Sequence, residues 1–511
     1  FCSLEKTQLM KKLFTILTII LLLVSSFTHL YRIDQTFIFQ GDEARDVLIA
    51  KRMIDNKTPI LLGPETSVGN MYLGPLYYYL ITPALLISQM HPAGPAIMVG
   101  LFGVATTFLI FSWGKKKFGF WGGLVAGFMY ALSPVMLHYS RSSWNPNLVP
   151  FFSVLLLFVF DYVGRWKWFI LGLYAGALFQ LHYVALIMVV LTALALLKQD
   201  IKIIPKKELI KRILLIVSGF VIVTAPFWAF ELRHDFVNTQ AFFKYLVSKK
   251  AENSVGPGYL ERVKNNIVMV SKGIVGSQSI ALKEVPSSLV NSASFLLLLF
   301  PALFKRRNKH SKDLKQLWFF LIGTIITISF LRENINVHYV SHLFPTIALM
   351  FGALATRARP VVRAISVIFL AGLLIWSYPT LIYNLRSKSS IQVERAVEIS
   401  DYILSQANNR PYNTVNAQGS SITTIQYYLS LSDNPPKNDL QDLVYVICER
   451  GPCSSDEETT TLLFLTGPTH PSIAEYLGHP QINEFSQKRV MVQNERISYD
   501  TYVGTINIEK E

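Results

Sequence analysis

The chain has 511 residues, of which 51% are hydrophobic and 13% aromatic, and its formal net charge is +15. The apolar residues gather in runs about 20 long with few charges, the helical length that crosses a hydrocarbon core of roughly 30 Å, so a string of soluble domains is excluded. The basic residues lie in short clusters between those runs and not in one aromatic-interleaved patch, which is positive-inside patterning and excludes a nucleic-acid surface.

The sequence begins with Phe1, so translation starts upstream or at Met10. Lys11 and Lys12 precede an apolar stretch, 13–24, that imitates a secretory signal. No small-x-small cleavage site follows and apolar character continues past Phe27, so an uncleaved first membrane helix is expected. Further spans are expected at 95–113, 118–138, 147–163, 168–181, 184–197, 213–230, 286–304, 316–331, 339–355 and 364–383, eleven in all.

The stretch 73–90, interrupted by Pro75 and Pro83, would make twelve. If it does not cross, the basic clusters at 115–117, 165–167, 198–212, 305–315 and 357–363 all fall on the side of Lys11 and Lys12. If it does cross, all of them fall outside. The charge bias therefore assigns 73–90 to the interface or to a re-entrant loop. The N-terminus is then cytoplasmic, and 34–90, 139–146, 231–285 and everything after Asn384 share the outer face of the cytoplasmic membrane.

Residues 42–55 have helical apolar spacing at Ala44, Val47, Leu48 and Ile54, with charges opposite, as in a helix lying on an interface. After Asn384 the pattern is soluble: helix 393–406, strand 412–417, helix 422–431, strand 443–449 and a hairpin over 489–508. Of the three cysteines, Cys448 and Cys453 lie here and either pair, if this part is exported, or remain free thiols. The expected fold class is an α-helical polytopic membrane domain over 1–383, with a first outer loop at 34–94, followed by a small extracytoplasmic α/β domain over 384–511.

Gly41-Asp42-Glu43-Ala44-Arg45-Asp46 puts adjacent carboxylates where the chain leaves the first membrane helix. An ordinary helix start has the same composition, with acids facing the positive end of the dipole. The topology, however, brings Ser140-Arg141-Ser142-Ser143-Trp144-Asn145-Pro146-Asn147 and the junction Gln180-Leu181-His182-Tyr183 to the same face.

With GPLYYYL at 74–80 and KKKFG at 115–119, these segments resemble, in order and spacing, those of the GT-C superfamily of integral-membrane glycosyltransferases. The similar members are the protein O-mannosyltransferase-like and aminoarabinose-transferase-like enzymes, which use dolichyl- or undecaprenyl-phosphate sugars. The likeness covers residues 1–230, with a looser match from His338-Tyr339 to Phe344-Pro345. Many members carry a His or Glu before the Pro-Leu-Tyr-Tyr segment, where this chain has Leu73-Gly74-Pro75, so a metal site relying on that residue lacks a ligand. The resemblance implies a GT-C fold and transfer of a sugar from a polyprenyl-phosphate donor, such as an undecaprenyl phosphate sugar, to a hydroxyl acceptor at the outer face.

The chemistry of such a transfer needs a base for the acceptor proton and cationic donors for the departing phosphate. A glycosidase, by contrast, generally flanks the bond with two carboxylates. Asp42 is expected as the general base, with inversion at the anomeric carbon, and Glu43 as an orienting group or metal neighbour. Arg45 and Arg141 would bind the donor phosphate through their forked guanidinium groups, with His182 and Tyr183 within reach of it. Trp144, Asn145, Asn147, Tyr77, His338 and Tyr339 would contact sugar or lipid.

Plainer readings stand beside these. The arginines also suit surface ion pairs or headgroup contacts, Trp144 an interfacial anchor, Tyr77-Tyr78-Tyr79 an aromatic belt, and His182, His338 and His342 structural positions. A divalent cation, if one is used, would sit on Asp42 and Glu43; no zinc spacing, P-loop or dinucleotide motif is present. The partners expected are the lipid-linked donor, membrane lipid and a hydroxyl acceptor, with no nucleic acid. Two rivals remain: a transporter or flippase of lipid-linked sugars, which predicts charges near span centres and inverted repeats, and a membrane protein that displays the C-terminal domain.

Overall fold

The computed structural model describes residues 2–66, 71–200, 204–251, 257–275, 291–294, 299–304, 311–331, 335–387, 391–418, 422–437, 441–449, 491–498 and 501–507. The apolar runs fold as helices because hydrocarbon offers backbone N–H and C=O groups no partner outside the segment. Among the described residues five helices are long and apolar enough to cross a membrane: Thr7–Thr36, Ala93–Phe118, Lys206–Arg233, Val337–Arg357 and Pro360–Arg386. A sixth forms if Phe120–Leu132 and Pro134–Ser140, bent by 65° at their break, count as one. Pro134, which has no N–H to continue the first half, opens the second.

The expected spans at 147–163, 168–181 and 184–197 are the shorter apolar helices Asn145–Asp161, Lys167–Leu181 and Tyr183–Lys198. Two of the three begin in tight 3-10 turns, Asn145–Leu148 and Tyr183–Ala185. The expected 316–331 is the helix Ser311–Ile328, and most of 286–304 lies outside the described residues. Apolar length in the sequence therefore exceeds straight helical length in the fold, because a hydropathy window does not register 3-10 turns and proline breaks. The stretch 73–90 folds as a helix of only 12 residues, Leu76–Ile87. At about 1.5 Å per residue it reaches about 18 Å, well short of a hydrocarbon core of about 30 Å.

Where three of these helices end, one lysine ties them together. Lys117 Nζ donates to Asp161 Oδ1 at 2.7 Å and to Asp313 Oδ1 at 2.8 Å, and Lys116 approaches Asp161 Oδ2 at 3.3 Å. The basic cluster expected to mark a membrane face thus also fixes the ends of Ala93–Phe118, Val149–Asp161 and Ser311–Ile328 in register.

The chain after the last long helix has its own core, built on Ala396, Ile399, Ile403, Ile425, Leu443, Tyr445 and Ile447. Its elements are the helix Ile391–Ala407, β1 (Asn413–Gln418), the helix Ile422–Ser430, β2 (Leu443–Glu449), β3 (Met491–Ser498) and β4 (Thr501–Asn507). The sheet order is β1-β2-β4-β3, with β1 and β2 parallel and the other pairs antiparallel. A parallel pair needs a crossover, and the helix Ile422–Ser430 supplies it. Cys448, in β2, is disulfide-bonded.

Two of the sequence segments interlock at Gly74. A Cβ there would stand 2.3 Å from Gln180 Cγ, and Gln180 is held in place because its Oε1 accepts from the Leu76 N–H at 3.3 Å while its Nε2 donates to the Gly176 and Val223 carbonyls. Gly74→Ala should therefore destabilise the protein by about 1–3 kcal/mol, the usual cost of overpacking. Thermal unfolding in detergent measures this, and an unchanged midpoint would mean that Gln180 moves aside freely.

Candidate active site

The helix that carries the paired carboxylates, Gly41–Asn56, starts abruptly. Gln40 is extended, its carbonyl accepts the Glu43 N–H at 2.8 Å, and Gly41 sits at φ +36, a conformation that glycine adopts without a Cβ penalty. Asp42 and Glu43 then occupy the first turn, near the positive end of the helix dipole.

One arginine organises the carboxylates around it. Arg45 Nη1 donates to Asp42 Oδ1 at 2.7 Å, while Nε and Nη2 both donate to Asp46 Oδ1, at 3.0 and 2.8 Å. The Tyr78 hydroxyl reaches the same oxygen at 3.4 Å. The two pairs differ in environment: the Asp42 side chain is 47% exposed and the Asp46 side chain 0%. An exposed pair of this kind contributes roughly 0.2–1 kcal/mol, whereas removing one partner of a buried pair costs about 3–5 kcal/mol. Arg45 is thus anchored on Asp46 and only lightly held by Asp42. Burial opposes the Arg45 charge, and Asp46, Tyr78 and Asp42 outweigh that opposition.

Glu43 turns away from Arg45 and accepts from the Ser142 hydroxyl at 3.0 Å. Burial pushes its carboxyl up to about 8, and the nearby Asp42 and Asp46 charges act in the same direction. Burial likewise raises Asp46, to about 7, against the pull of Arg45. Its Oδ2 is buried with no hydrogen-bond partner among the described residues.

Aromatic rings gather next to the carboxylates. Trp144 and His338 lie 4.6 Å apart, His338 and Tyr339 4.6 Å, His182 and Tyr339 4.9 Å, and His182 and His338 5.9 Å between ring centroids. These rings stand at or beside three 3-10 turns, Asn145–Leu148, Tyr183–Ala185 and Val337–Leu343, the last of which packs on the other two. Burial pushes His182 down to about 3, so it is a neutral imidazole at physiological pH and contributes no cation.

Of the residues singled out in the sequence, the structure brings Asp42, Glu43 and Arg45 together on one helix and Trp144, His182, His338 and Tyr339 into one ring cluster. Others have different partners. Arg141, placed on the donor phosphate by the sequence reading, is 3% exposed and directs its guanidinium to the Thr28 carbonyl at 2.7 Å, the Tyr31 carbonyl at 2.8 Å and the Thr36 hydroxyl. It closes the end of the first helix, whose last carbonyls lack intrahelical donors.

Asn145 Nδ2 donates to the Leu181 carbonyl at 2.6 Å and Asn147 Nδ2 to the Ser142 carbonyl at 2.8 Å, so both amides fix loops. The Tyr183 hydroxyl donates to the Tyr72 carbonyl at 2.5 Å, beside Asn238, which bonds the same residue twice. Tyr77 is fully buried and shares a hydrogen bond of 2.8 Å with Ser143. Three members of the site had no part in the expected chemistry: Asp46 and Ser142 stood only within their motifs, and Tyr78 was one of the tyrosines of an aromatic belt. Asp46 left one signal, because it lies one helical turn before Ile49 and Ala50 on the face that packs inward.

No protein-family model matches the chain, and no curated protein sequence matches it significantly. Solved structures do. The crystal structure of ArnT from Cupriavidus metallidurans in the apo state superposes with a TM-score of 0.57 at 11% identity, covering 98% of this chain and 98% of that one. The same protein bound to undecaprenyl phosphate superposes with a TM-score of 0.57 at 10% identity, covering 96% and 97%.

The chain has the GT-C fold. The α-helical membrane fold implied by the sequence resemblance is therefore present. Among the described residues no group of three or more His, Cys, Asp or Glu side chains is arranged to hold a metal ion. Asp42 turns to Arg45 and Glu43 to Ser142, so the two carboxylates named for a divalent cation are engaged with different partners.

The raised Glu43 carboxyl has a consequence for stability. The folded chain keeps this proton up to about pH 8, while an unfolded chain releases it near the ordinary value of 4.5. The stabilisation is complete below pH 4.5 and is lost as pH rises toward 8, because deprotonation then charges a buried group. The unfolding midpoint of the wild-type protein should fall across that range more steeply than that of Glu43→Gln. Parallel curves for the two proteins would place the Glu43 carboxylate in contact with water.

Proposed function

We propose that this chain is an integral-membrane glycosyltransferase that moves a sugar from a polyprenyl-phosphate donor to a hydroxyl acceptor at the outer face of the membrane. The observation that carries the reading is the Asp42–Arg45–Asp46 constellation: one half-exposed carboxylate, held by an arginine that a fully buried aspartate anchors from behind. The GT-C fold supports the reaction class, and the undecaprenyl phosphate bound by ArnT supports the donor class.

The anchoring suggests how the two halves of the reaction are coupled. Donor phosphate entering beside Arg45 competes with Asp42 for Nη1, the weaker of the two pairings, while Nε and Nη2 stay on Asp46. Asp42 Oδ1 is then free to accept the acceptor hydroxyl proton as that oxygen attacks the anomeric carbon. The new C–O bond forms as the bond from that carbon to the phosphate oxygen breaks, and the polyprenyl phosphate departs as an anion next to the guanidinium. A single displacement of this kind inverts the anomeric centre. Trp144, His338 and Tyr339 supply ring faces for the sugar, and neutral His182 is a hydrogen-bonding group at the same wall. Arg141 serves the scaffold.

Asp42→Asn should abolish sugar transfer from polyprenyl-phosphate sugars in membranes while donor binding remains within about threefold, since a base acts in the transition state and not on the ground-state complex. Near-normal turnover by that variant would remove Asp42 from the base role. Turnover of no donor by the wild-type protein, together with flipping of the same lipids in vesicles, would favour the transporter instead. Asp46→Asn should lower kcat and raise the donor KM together, because Arg45 loses its anchor; an unchanged KM would separate Arg45 from the phosphate.

A further inference from the structure

The helix Ile422–Ser430 has two faces with different allegiances. Ile422, Ile425 and Leu429 belong to the C-terminal core. Thr424, Tyr427 and Tyr428 face the other way and lie on the segment that leads into the Asp42 helix. Tyr427 is fully buried within the core of the membrane domain, its ring edge-on to Phe39 at 5.7 Å, and Tyr428 meets the same ring at 6.3 Å.

The backbone of that segment is held from the same side. The Phe39 N–H donates to Gln392 Oε1 at 3.1 Å, the Thr424 hydroxyl donates to the Phe39 carbonyl at 3.3 Å, and the Thr423 hydroxyl donates to the Gly41 carbonyl at 3.4 Å. The Tyr427 hydroxyl donates to the Met90 carbonyl, in a turn where Gln89 and Met90 have φ values of 53 and 65. Non-glycine residues keep such a conformation only where neighbours hold it. Phe39 therefore has its ring, its N–H and its carbonyl all engaged by the C-terminal unit, and Asp42 follows three residues later.

We propose that the helix Ile422–Ser430 is a positioning element for Asp42. The C-terminal unit holds the Phe39–Gly41 entry and the Gln89–Met90 turn so that the Asp42 carboxylate is aimed at the ring cluster. The threonine bonds are long, and they act together with the Tyr427 hydroxyl on Met90 and the packing of Tyr427 and Tyr428 on Phe39, so that losing the bonds frees the backbone even where the rings remain. None of these residues touches substrate. Their effect runs through the backbone of 39–42, where a displacement of about 1 Å is enough to cost on the order of a hundredfold in rate. The inference rests on the reading of Asp42 as the base.

The test uses the full-length protein with the combined substitution Thr424→Val and Tyr427→Phe, the milder Thr424→Ser, and Phe39→Leu made from the other side of the contact. Three quantities are read: kcat and donor KM with a polyprenyl-phosphate sugar, hydrogen exchange at residues 39–46, and hydrogen exchange in the C-terminal core. The combined variant and Phe39→Leu should each lower kcat at least about tenfold with donor KM unchanged. Exchange at 39–46 should quicken while the C-terminal core stays protected, and Thr424→Ser should behave as wild type. Unchanged kcat in either variant would overturn the proposal, as would loss of core protection in step with the loss of kcat. If Asp42→Asn itself retains activity, the base reading fails first, and unchanged exchange at 39–46 in the combined variant would then remove the holding role as well.

Discussion

A fully buried aspartate beside an arginine is the constraint on which the site depends. Asp46 has no exposed side-chain surface and accepts two bonds from Arg45 on one oxygen. A guanidinium so placed cannot leave without stranding a charge in a low-dielectric interior, a loss several times larger than that of an exposed ion pair. Everything mobile in the constellation is therefore on the Asp42 side. The same helix that brings Asp42 to the surface buries Asp46 one turn later, so the exposed group and its anchor are set by one element.

The surroundings of that helix are built to keep it still. Tyr78 reaches Asp46 from the helix Leu76–Ile87, Ser142 reaches Glu43 from the turn before Asn145–Leu148, and Gly74 and Gln180 lock the two motif segments against each other. The C-terminal unit grips Phe39. The ties from Tyr78, Ser142 and the C-terminal unit come from separate stretches of chain, and each ends on a backbone group or carboxylate within a few residues of Asp42. Rigidity here has a chemical use, since an exposed carboxylate acts as a selective base only if its direction is fixed.

Several residues that invite a functional reading in one dimension are engaged in holding the frame. Arg141 looks like a phosphate ligand because its forked guanidinium suits a phosphate and its segment is expected on the same face as the paired carboxylates. In three dimensions the nearest unmet need is the row of carbonyls at the end of the first helix, and the guanidinium answers it. Asn145, Asn147 and Tyr183 follow the same pattern: polar side chains in tight turns satisfy loop backbone before they are free to meet a ligand. The rings differ, since Trp144, His182, His338 and Tyr339 pack on one another, tilted or edge-on.

Much of the architecture was legible in the chain itself, because local rules decide it. Apolar runs must be helical in hydrocarbon, and the strands and helices of the C-terminal unit follow from alternation and amphipathic spacing, within two residues of the observed bounds. The motif order also pointed to the GT-C fold and to Asp42, Glu43 and Arg45 as neighbours on one helix. Tertiary structure alone decided the rest. Whether a run is one straight helix or a broken pair depends on turns that carry no hydropathy signal, and whether an arginine is a ligand or a brace depends on which carbonyls come near it. That Asp46 is the anchor, and that Tyr427 presses on the loop before Asp42 from hundreds of residues away, are facts of packing between distant segments, which no local pattern encodes.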